Sequence, residues 1–169
     1  MQKALFLDRD GVINIDKAYV YKIEDFEFCE GVFEALKHFQ SLGYLLIIVT
    51  NQSGIGRGYY SEEDFQTLMS WMRQELLHVN IKIDAVYRCP HAPEANCECR
   101  KPKSGMFKEA IKDFGIDVSR SWMIGDKKSD IEAARGVGIE NTIFLGNDLD
   151  TEAKYCVNFI LDTINLIKN

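Results

Sequence analysis

The sequence predicts an α/β fold in three Rossmann-like layers, with a central, mostly parallel sheet between helices. Three observations carry this expectation. Short apolar runs alternate along the chain with segments of helical period, the pattern of strands joined by crossover helices. The runs are nearly continuous rather than alternating with polar residues, so both faces are expected to be buried, as in a parallel sheet. Finally, 169 residues is the length of one domain that can bury such a core.

Taken in order, KALFLD (3–8) reads as the first strand. Val32, Phe33, Leu36, Phe39 and Leu42 follow helical spacing, and Gly43 is placed to end that helix. YLLIIVT (44–50) is the second strand. Ser61 with Asp64 resembles a capping box that opens a helix with Phe65, Leu68, Met69, Met72 and Leu76 on its inner face. Trp71 and the methionines there belong to the core. IDAVY (83–87) is the third strand, and Ser104 is placed to cap a helix carrying Phe107, Ala110, Ile111 and Phe114 up to Gly115. SWMIGD (121–126) is the fourth strand, followed by a helix through Ala134, the strand NTIFL (141–145) and the apolar run CVNFIL (156–161). Residues 11–28 fit neither helix nor crossover and are expected to form an extended flap over the end of the first strand. No repeat, linker or low-complexity segment interrupts residues 1–169, which are expected to be a single domain.

Composition narrows the function. At 46% hydrophobic, 27% charged and only three prolines, the chain is of globular type. A net charge of -6 argues against general nucleic-acid affinity, which depends on excess Lys and Arg at phosphates. It leaves room for an anionic small molecule if cations gather locally. The opening MQKALFLDRD meets charge too early for a signal peptide, and no stretch approaches the length of a membrane span. A cytoplasmic, reducing setting is therefore expected, in which five cysteines, an odd number, do not form a disulfide framework. Cys29 and Cys156 stand alone and read as small hydrophobes. With no obvious exposed apolar stripe, a monomer is the default.

In such a sheet the binding crevice lies beyond the carboxyl ends of the strands. The first strand ends in Asp8-Arg9-Asp10-Gly11. If the extended conformation continues, Asp8 and Asp10 face one way and Arg9 the other. Two neighbouring carboxylates repel, and a hard divalent ion is the usual means of keeping both ionised. Magnesium on Asp8 would leave Asp10 free to exchange a proton; the tetrapeptide alone fits an Asp-rich turn equally well. Thr50, Asn51, Gln52 and Ser53 follow the second strand and lead into a glycine loop able to cradle phosphate, or into a plain turn. Asp126 and Lys127 follow the fourth strand. Asp126 is a second candidate carboxylate for the same ion, or else a helix cap.

An Asp pair, a Thr, Lys101 and a further Asp, each just beyond a different apolar run, form a joint pattern. That order resembles the haloacid dehalogenase superfamily of phosphotransferases, with DRDG, VTN, the lysine of RKP and IGDKKSD as its four motifs. FLDRDGVINID, AYV at 18–20, FEFCEGV, VTNQSGIGRG, the CPH and CxCRKP loop, and GDKKSD are most similar to the small bacterial D-glycero-D-manno-heptose 1,7-bisphosphate phosphatases. The sister histidinol-phosphate phosphatases share DRDG, TNQ, the metal loop and RKP, and residues 92–96 form a compact loop like theirs. Residues 14–19 and 53–58 look like the heptose enzymes.

The resemblance implies a haloacid dehalogenase fold, here without a separate cap domain because the segments after the first two strands are too short to form one. It implies magnesium-dependent removal of the 7-phosphate of a heptose bisphosphate, a step toward nucleotide-activated heptose for lipopolysaccharide or another glycan. Asp8 is the expected nucleophile, forming an aspartyl phosphate, and Asp10 the acid and base. Thr50, Lys101 and magnesium would neutralise the phosphoryl group. The ion would be bound by the Asp8 and Asp126 carboxylates and the Asp10 carbonyl, with Asp130 supporting from behind. Asp16, Lys17, Ala18 and Tyr19 of the flap, together with Asn51, Gln52, Ser53, Arg100 and Lys127, are the implied contacts to sugar or remote phosphate. Arg57 is a further candidate for phosphate. The alternatives are a histidinol-phosphate phosphatase and a non-enzymatic zinc-stabilised interaction module.

Cys89, His91, Cys97 and Cys99, in the loop 88–101, supply the four ligands of a closed tetrahedral zinc site, which leaves no position for a catalytic water. Such a zinc is expected to be structural, with a disulfide as the main rival, disfavoured by a reducing compartment and by the poor placement of Cys97 and Cys99 for bonding each other. Because Arg100 and Lys101 follow the last ligand, a metal that fixes Cys99 also fixes the backbone bearing both cations. A free loop would instead have to be ordered on each encounter, at roughly 1–2 kcal/mol per residue.

Overall fold

The computed structural model describes residues 1–168. Six strands, β1 (Ala4–Leu7), β2 (Leu45–Asn51), β3 (Ala85–Cys89), β4 (Trp122–Gly125), β5 (Asn141–Leu145) and β6 (Tyr155–Val157), form one sheet of order β3-β2-β1-β4-β5-β6. Every neighbouring pair is parallel. Five helices connect them: α1 (Val32–Ser41), α2 (Ser53–Gly56), α3 (Glu62–His78), α4 (Gly105–Phe114) and α5 (Lys128–Arg135).

Alternation along the strands sorts the core into two layers. Leu5, Leu7, Leu46 and Ile48 point to one face, against Leu36 and Phe39 of α1 and Met69 and Met72 of α3. Ala4, Phe6, Ile47 and Val49 point to the other, against Phe107 and Ala110 of α4 and Ala133 of α5. The three-layer α/β expectation is met, and no separate cap is evident among the described residues. From β1 the connections run outward through β2 and β3 on one side and through β4, β5 and β6 on the other. The switch point lies between β1 and β4, so the residues that follow these strands flank the crevice where ligands bind in this fold class.

Several local expectations are revised. Only Tyr155–Val157 at the start of the last apolar run pairs as a strand; Ile160–Asn165 turns into a short 3-10 helix whose buried Ile160 joins the α1 layer. Ser61 and Asp64 do form the capping box of α3. Ser104 stands at the start of α4 without capping it, because its hydroxyl donates to the Ala133 carbonyl at 2.8 Å. Residues 11–28 are not simply an extended flap: they follow a winding course with a 3-10 turn at Ile23–Asp25, and Val12, Ile13, Val20 and Phe26 are buried in the core. No helix of the described residues is long and apolar enough to cross a membrane.

Candidate active site

Asp8 and Asp126 lie just beyond β1 and β4, and the crevice brings them together with Lys101 from the loop after β3. Lys101 is buried. Its Nζ lies 2.9 Å from Asp8 Oδ1 and 2.6 Å from Asp130 Oδ1, and donates to the Val49 carbonyl at 2.8 Å. Asn51 holds the lysine backbone from both sides: its Nδ2 donates to the Lys101 carbonyl at 3.2 Å and its Oδ1 accepts from the Lys101 N–H at 3.0 Å. The Asp130 carboxylate also accepts the N–H groups of Asp126 and Lys127, each at 3.1 Å, which ties the end of β4 to the first turn of α5. This cap comes from Asp130, leaving Asp126 free of that role.

The electrostatics follow from crowding. Burial and then the Asp130 charge push Asp8 well above the usual carboxylate range, against the pull of Lys101. Burial and Asp130 likewise raise Asp126. Burial alone would lower the Lys101 ammonium, but the Asp130 and Asp8 carboxylates more than offset it and raise it. The donor atoms of Asp8, Asp126 and Asp130 lie within 4.8 Å of one another. Three carboxyl groups thus crowd around one buried ammonium, an excess of acid that a further cation would relieve. The Asp126 Oδ1 is buried without a hydrogen-bond partner. A divalent cation with a preference for oxygen ligands fits this set. Gly11 closes one side: a Cβ there would stand 1.9 Å from Asp126 Oδ2, and its φ of +88° favours glycine.

The expected opposition of Arg9 and Asp10 is not observed. β1 ends at Leu7, so strand alternation does not extend into the motif. Arg9 turns back and is fully buried. Its Nη2 donates to Asp10 Oδ1 at 2.9 Å and to the Val20 carbonyl at 2.7 Å. The other Asp10 oxygen accepts from Gln52 Nε2 at 3.2 Å. Gln52 is buried, and its Nε2 also donates to Thr50 Oγ1 at 2.9 Å. The Thr50 hydroxyl hydrogen is thereby left for another acceptor.

A cleft of about 400 Å³ opens above these groups, lined by Asp8, Asp10, Asn51, Ser53, Arg100 and Lys101. An adjoining cleft of about 260 Å³ is lined by Asp16, Ala18, Tyr19, Gln52, Tyr60 and Lys127. Lys127 reaches Asp16 at 3.6 Å across its mouth, and Ala18 and Tyr19 both adopt positive φ, 57° and 52°. Lys17 pairs with Glu27 at 3.1 Å on the surface, and Arg57 is exposed with its Nε 3.4 Å from Ser53 Oγ. Tyr60, which no sequence motif marks as a site residue, donates its hydroxyl hydrogen to Gln52 Oε1. It directly precedes the Ser61 cap, a position that reads as a helix staple.

The cysteine loop draws its four residues together. Among the sulfurs, Cys89 lies 2.8 Å from Cys99 and 3.5 Å from Cys97, and His91 Nδ1 lies 3.2 Å from Cys99. A tetrahedral ion with Zn–S bonds of about 2.3 Å separates its sulfurs by about 3.8 Å. The set therefore fits a zinc ion with small outward shifts.

Comparison with known proteins agrees with this geometry. A HAD-hydrolase-like family model matches residues 98–163. The D-glycero-beta-D-manno-heptose-1,7-bisphosphate 7-phosphatase of Haemophilus ducreyi is 46% identical, covering 96% of this chain and 94% of its own. The D-glycero-alpha-D-manno-heptose-1,7-bisphosphate 7-phosphatase of Campylobacter jejuni is 51% identical, covering 98% and 96%. Among solved structures, the D,D-heptose 1,7-bisphosphate phosphatase of B. bronchiseptica, complexed with magnesium and phosphate, shares the fold with a TM-score of 0.87 at 24% identity, covering 98% of this chain and 97% of that one. The chain is a phosphatase of the HAD-like hydrolases and belongs to the heptose-1,7-bisphosphate 7-phosphatase family.

Proposed function

We propose that this enzyme removes the 7-phosphate of a D-glycero-D-manno-heptose 1,7-bisphosphate, working as a single chain in the cytoplasm on a small-molecule substrate. The observation that carries the chemistry is the buried Asp8–Lys101–Asp130 cluster beside Asp126, three acids around one buried ammonium. Asp8 and Asp126, with the Asp10 carbonyl, would hold magnesium, which when bound offsets the charge of these acids and of the phosphoryl group. Cys89, His91, Cys97 and Cys99 would hold a structural zinc.

Asp8 attacks phosphorus in line while the bond to the leaving sugar oxygen breaks, and Asp10 gives that oxygen its proton. Water then attacks the aspartyl phosphate. Asp10 takes the water's proton, the Asp8–phosphorus bond breaks and phosphate leaves. Lys101 and the Thr50 hydroxyl steady charge on the phosphoryl oxygens. Arg100, Ser53, Lys127, Asp16 and Tyr19 line the space that the sugar and remote phosphate would occupy, with Lys17 and Arg57 as outer cations. The competing substrate supplies the test: purified enzyme releases phosphate from heptose 1,7-bisphosphate in preference to histidinol phosphate. A preference for histidinol phosphate would overturn the substrate assignment.

A further inference from the structure

Every hydrogen-bonding neighbour of the Asp10 carboxylate is a donor. Oδ1 accepts from Arg9 Nη2 at 2.9 Å and Asn14 Nδ2 at 3.1 Å, and Oδ2 accepts from Gln52 Nε2 at 3.2 Å. Arg9 can never accept a hydrogen bond. Asn14 is fixed in this sense because the same Nδ2 donates to the Ile15 carbonyl at 3.1 Å. Gln52 is the neighbour that could reverse. A flipped amide would present Oε1 to Asp10 and accept the very proton meant for the leaving oxygen.

Tyr60 stands against that flip by donating to Gln52 Oε1. The phenol is itself held. It is 6% exposed, stacks on Tyr21 at 5.0 Å with an interplanar angle of 8°, and packs so closely on Gly54 that a Cβ there would lie 2.1 Å from the ring. Burial pushes the Tyr60 hydroxyl up to about 12, so it keeps its hydrogen throughout the neutral range.

We infer that Tyr60, acting through Gln52, is a positioning residue that keeps all partners of the Asp10 carboxyl as donors, leaving the leaving-group oxygen as the sole acceptor for its proton. This rests on Asp10 being the acid of the proposed mechanism. In that step the phosphorus–oxygen bond of the sugar breaks as the Asp8–phosphorus bond forms, and the Asp10 proton passes to the departing oxygen.

Leaving-group chemistry supplies the test. A sugar alkoxide needs that proton, whereas the phenolate released from 4-nitrophenyl phosphate departs without it. The quantity to compare is kcat/KM, which reports events only up to loss of the first product. In the full-length protein, Tyr60→Phe keeps the stacked ring and is expected to lower kcat/KM about tenfold on the sugar bisphosphate, a fraction of the 10²–10⁴ that a general acid supplies. On 4-nitrophenyl phosphate it should stay within about twofold. Equal losses on both substrates, or none on either, would overturn the inference. If Tyr60→Phe does not fold, Tyr21→Leu, which takes away the ring stacked on Tyr60, must show the same split, and its absence is equally decisive. Asp10→Asn, measured alongside, separates the two readings: an Asp10 variant without leaving-group discrimination rejects the acid assignment itself, while discrimination there but not in Tyr60→Phe rejects the role of Tyr60 alone.

Discussion

Replacing Lys101 by methionine removes the buried cation that faces Asp8 and Asp130. Its side chain is 2% exposed, and its Nζ lies 2.9 Å and 2.6 Å from their oxygens. At an effective dielectric of about 20, each such contact is worth about 6 kcal/mol of attraction. The opposing desolvation is several kcal/mol per ion, so the pair's net worth is much smaller than its Coulomb energy. Removing one partner is another matter, because the carboxylates stay behind without a counter-ion. The expected destabilisation is about 3–5 kcal/mol, which for a chain of this length lowers Tm by roughly 6–20 °C. The loss should depend on pH. Asp8 already stands above the usual carboxylate range, and without Lys101 it rises further. A carboxyl raised in the folded state is stabilising below its unfolded value, and that contribution is lost as pH climbs through the folded value. The deficit of the variant is therefore larger at pH 8 than at pH 5. Urea unfolding without added magnesium, followed by tryptophan fluorescence, measures it at both. A deficit below about 1 kcal/mol at pH 8, or one that grows toward acid, would refute the buried-charge account.

Other perturbations probe the remaining parts. Gly11→Ala places a Cβ 1.9 Å from Asp126 Oδ2 at a φ of +88°. It should cost about 1–2 kcal/mol in backbone strain and, by displacing Asp126, raise the magnesium concentration needed for half-maximal activity; an unchanged magnesium titration would speak against Asp126 as a ligand. Cys99→Ser should reduce bound zinc from about one ion per chain, as measured by elemental analysis, and lower phosphatase activity by loosening Arg100 and Lys101. Full activity in zinc-free protein would remove the loop's proposed role. Asp10→Asn should reduce turnover of the sugar phosphate by about 10²–10⁴ in steady-state assays.

Much of the site was legible because a parallel sheet buried on both faces writes its strands as apolar runs, and their carboxyl ends converge. Asp8, Thr50, Lys101 and Asp126 could thus be grouped without knowing strand order. Cys89, His91, Cys97 and Cys99 were legible for a different reason: four soft ligands within eleven residues leave few other uses. What periodicity could not reveal is which carboxylate turns toward which cation once regular structure ends. Strand alternation points Arg9 away from Asp10, whereas the two pair, because β1 stops at Leu7. Asp130 approaches Lys101 from the first turn of α5, a meeting set by the packing of α5 against the sheet. Asn51 reads as a substrate contact, yet its side chain spans both sides of the Lys101 peptide. Tyr60 carries no motif at all; only the path of its loop over Gly54 brings it to Gln52.

The central claim is that Asp8 is the group that takes the phosphoryl. An aspartyl phosphate intercepted with borohydride is reduced to homoserine, which peptide mass spectrometry locates by residue. Quenching the enzyme during turnover of heptose 1,7-bisphosphate should place homoserine at position 8, dependent on both substrate and magnesium. Homoserine at position 10 or 126, or none under conditions of rapid phosphate release, would contradict it.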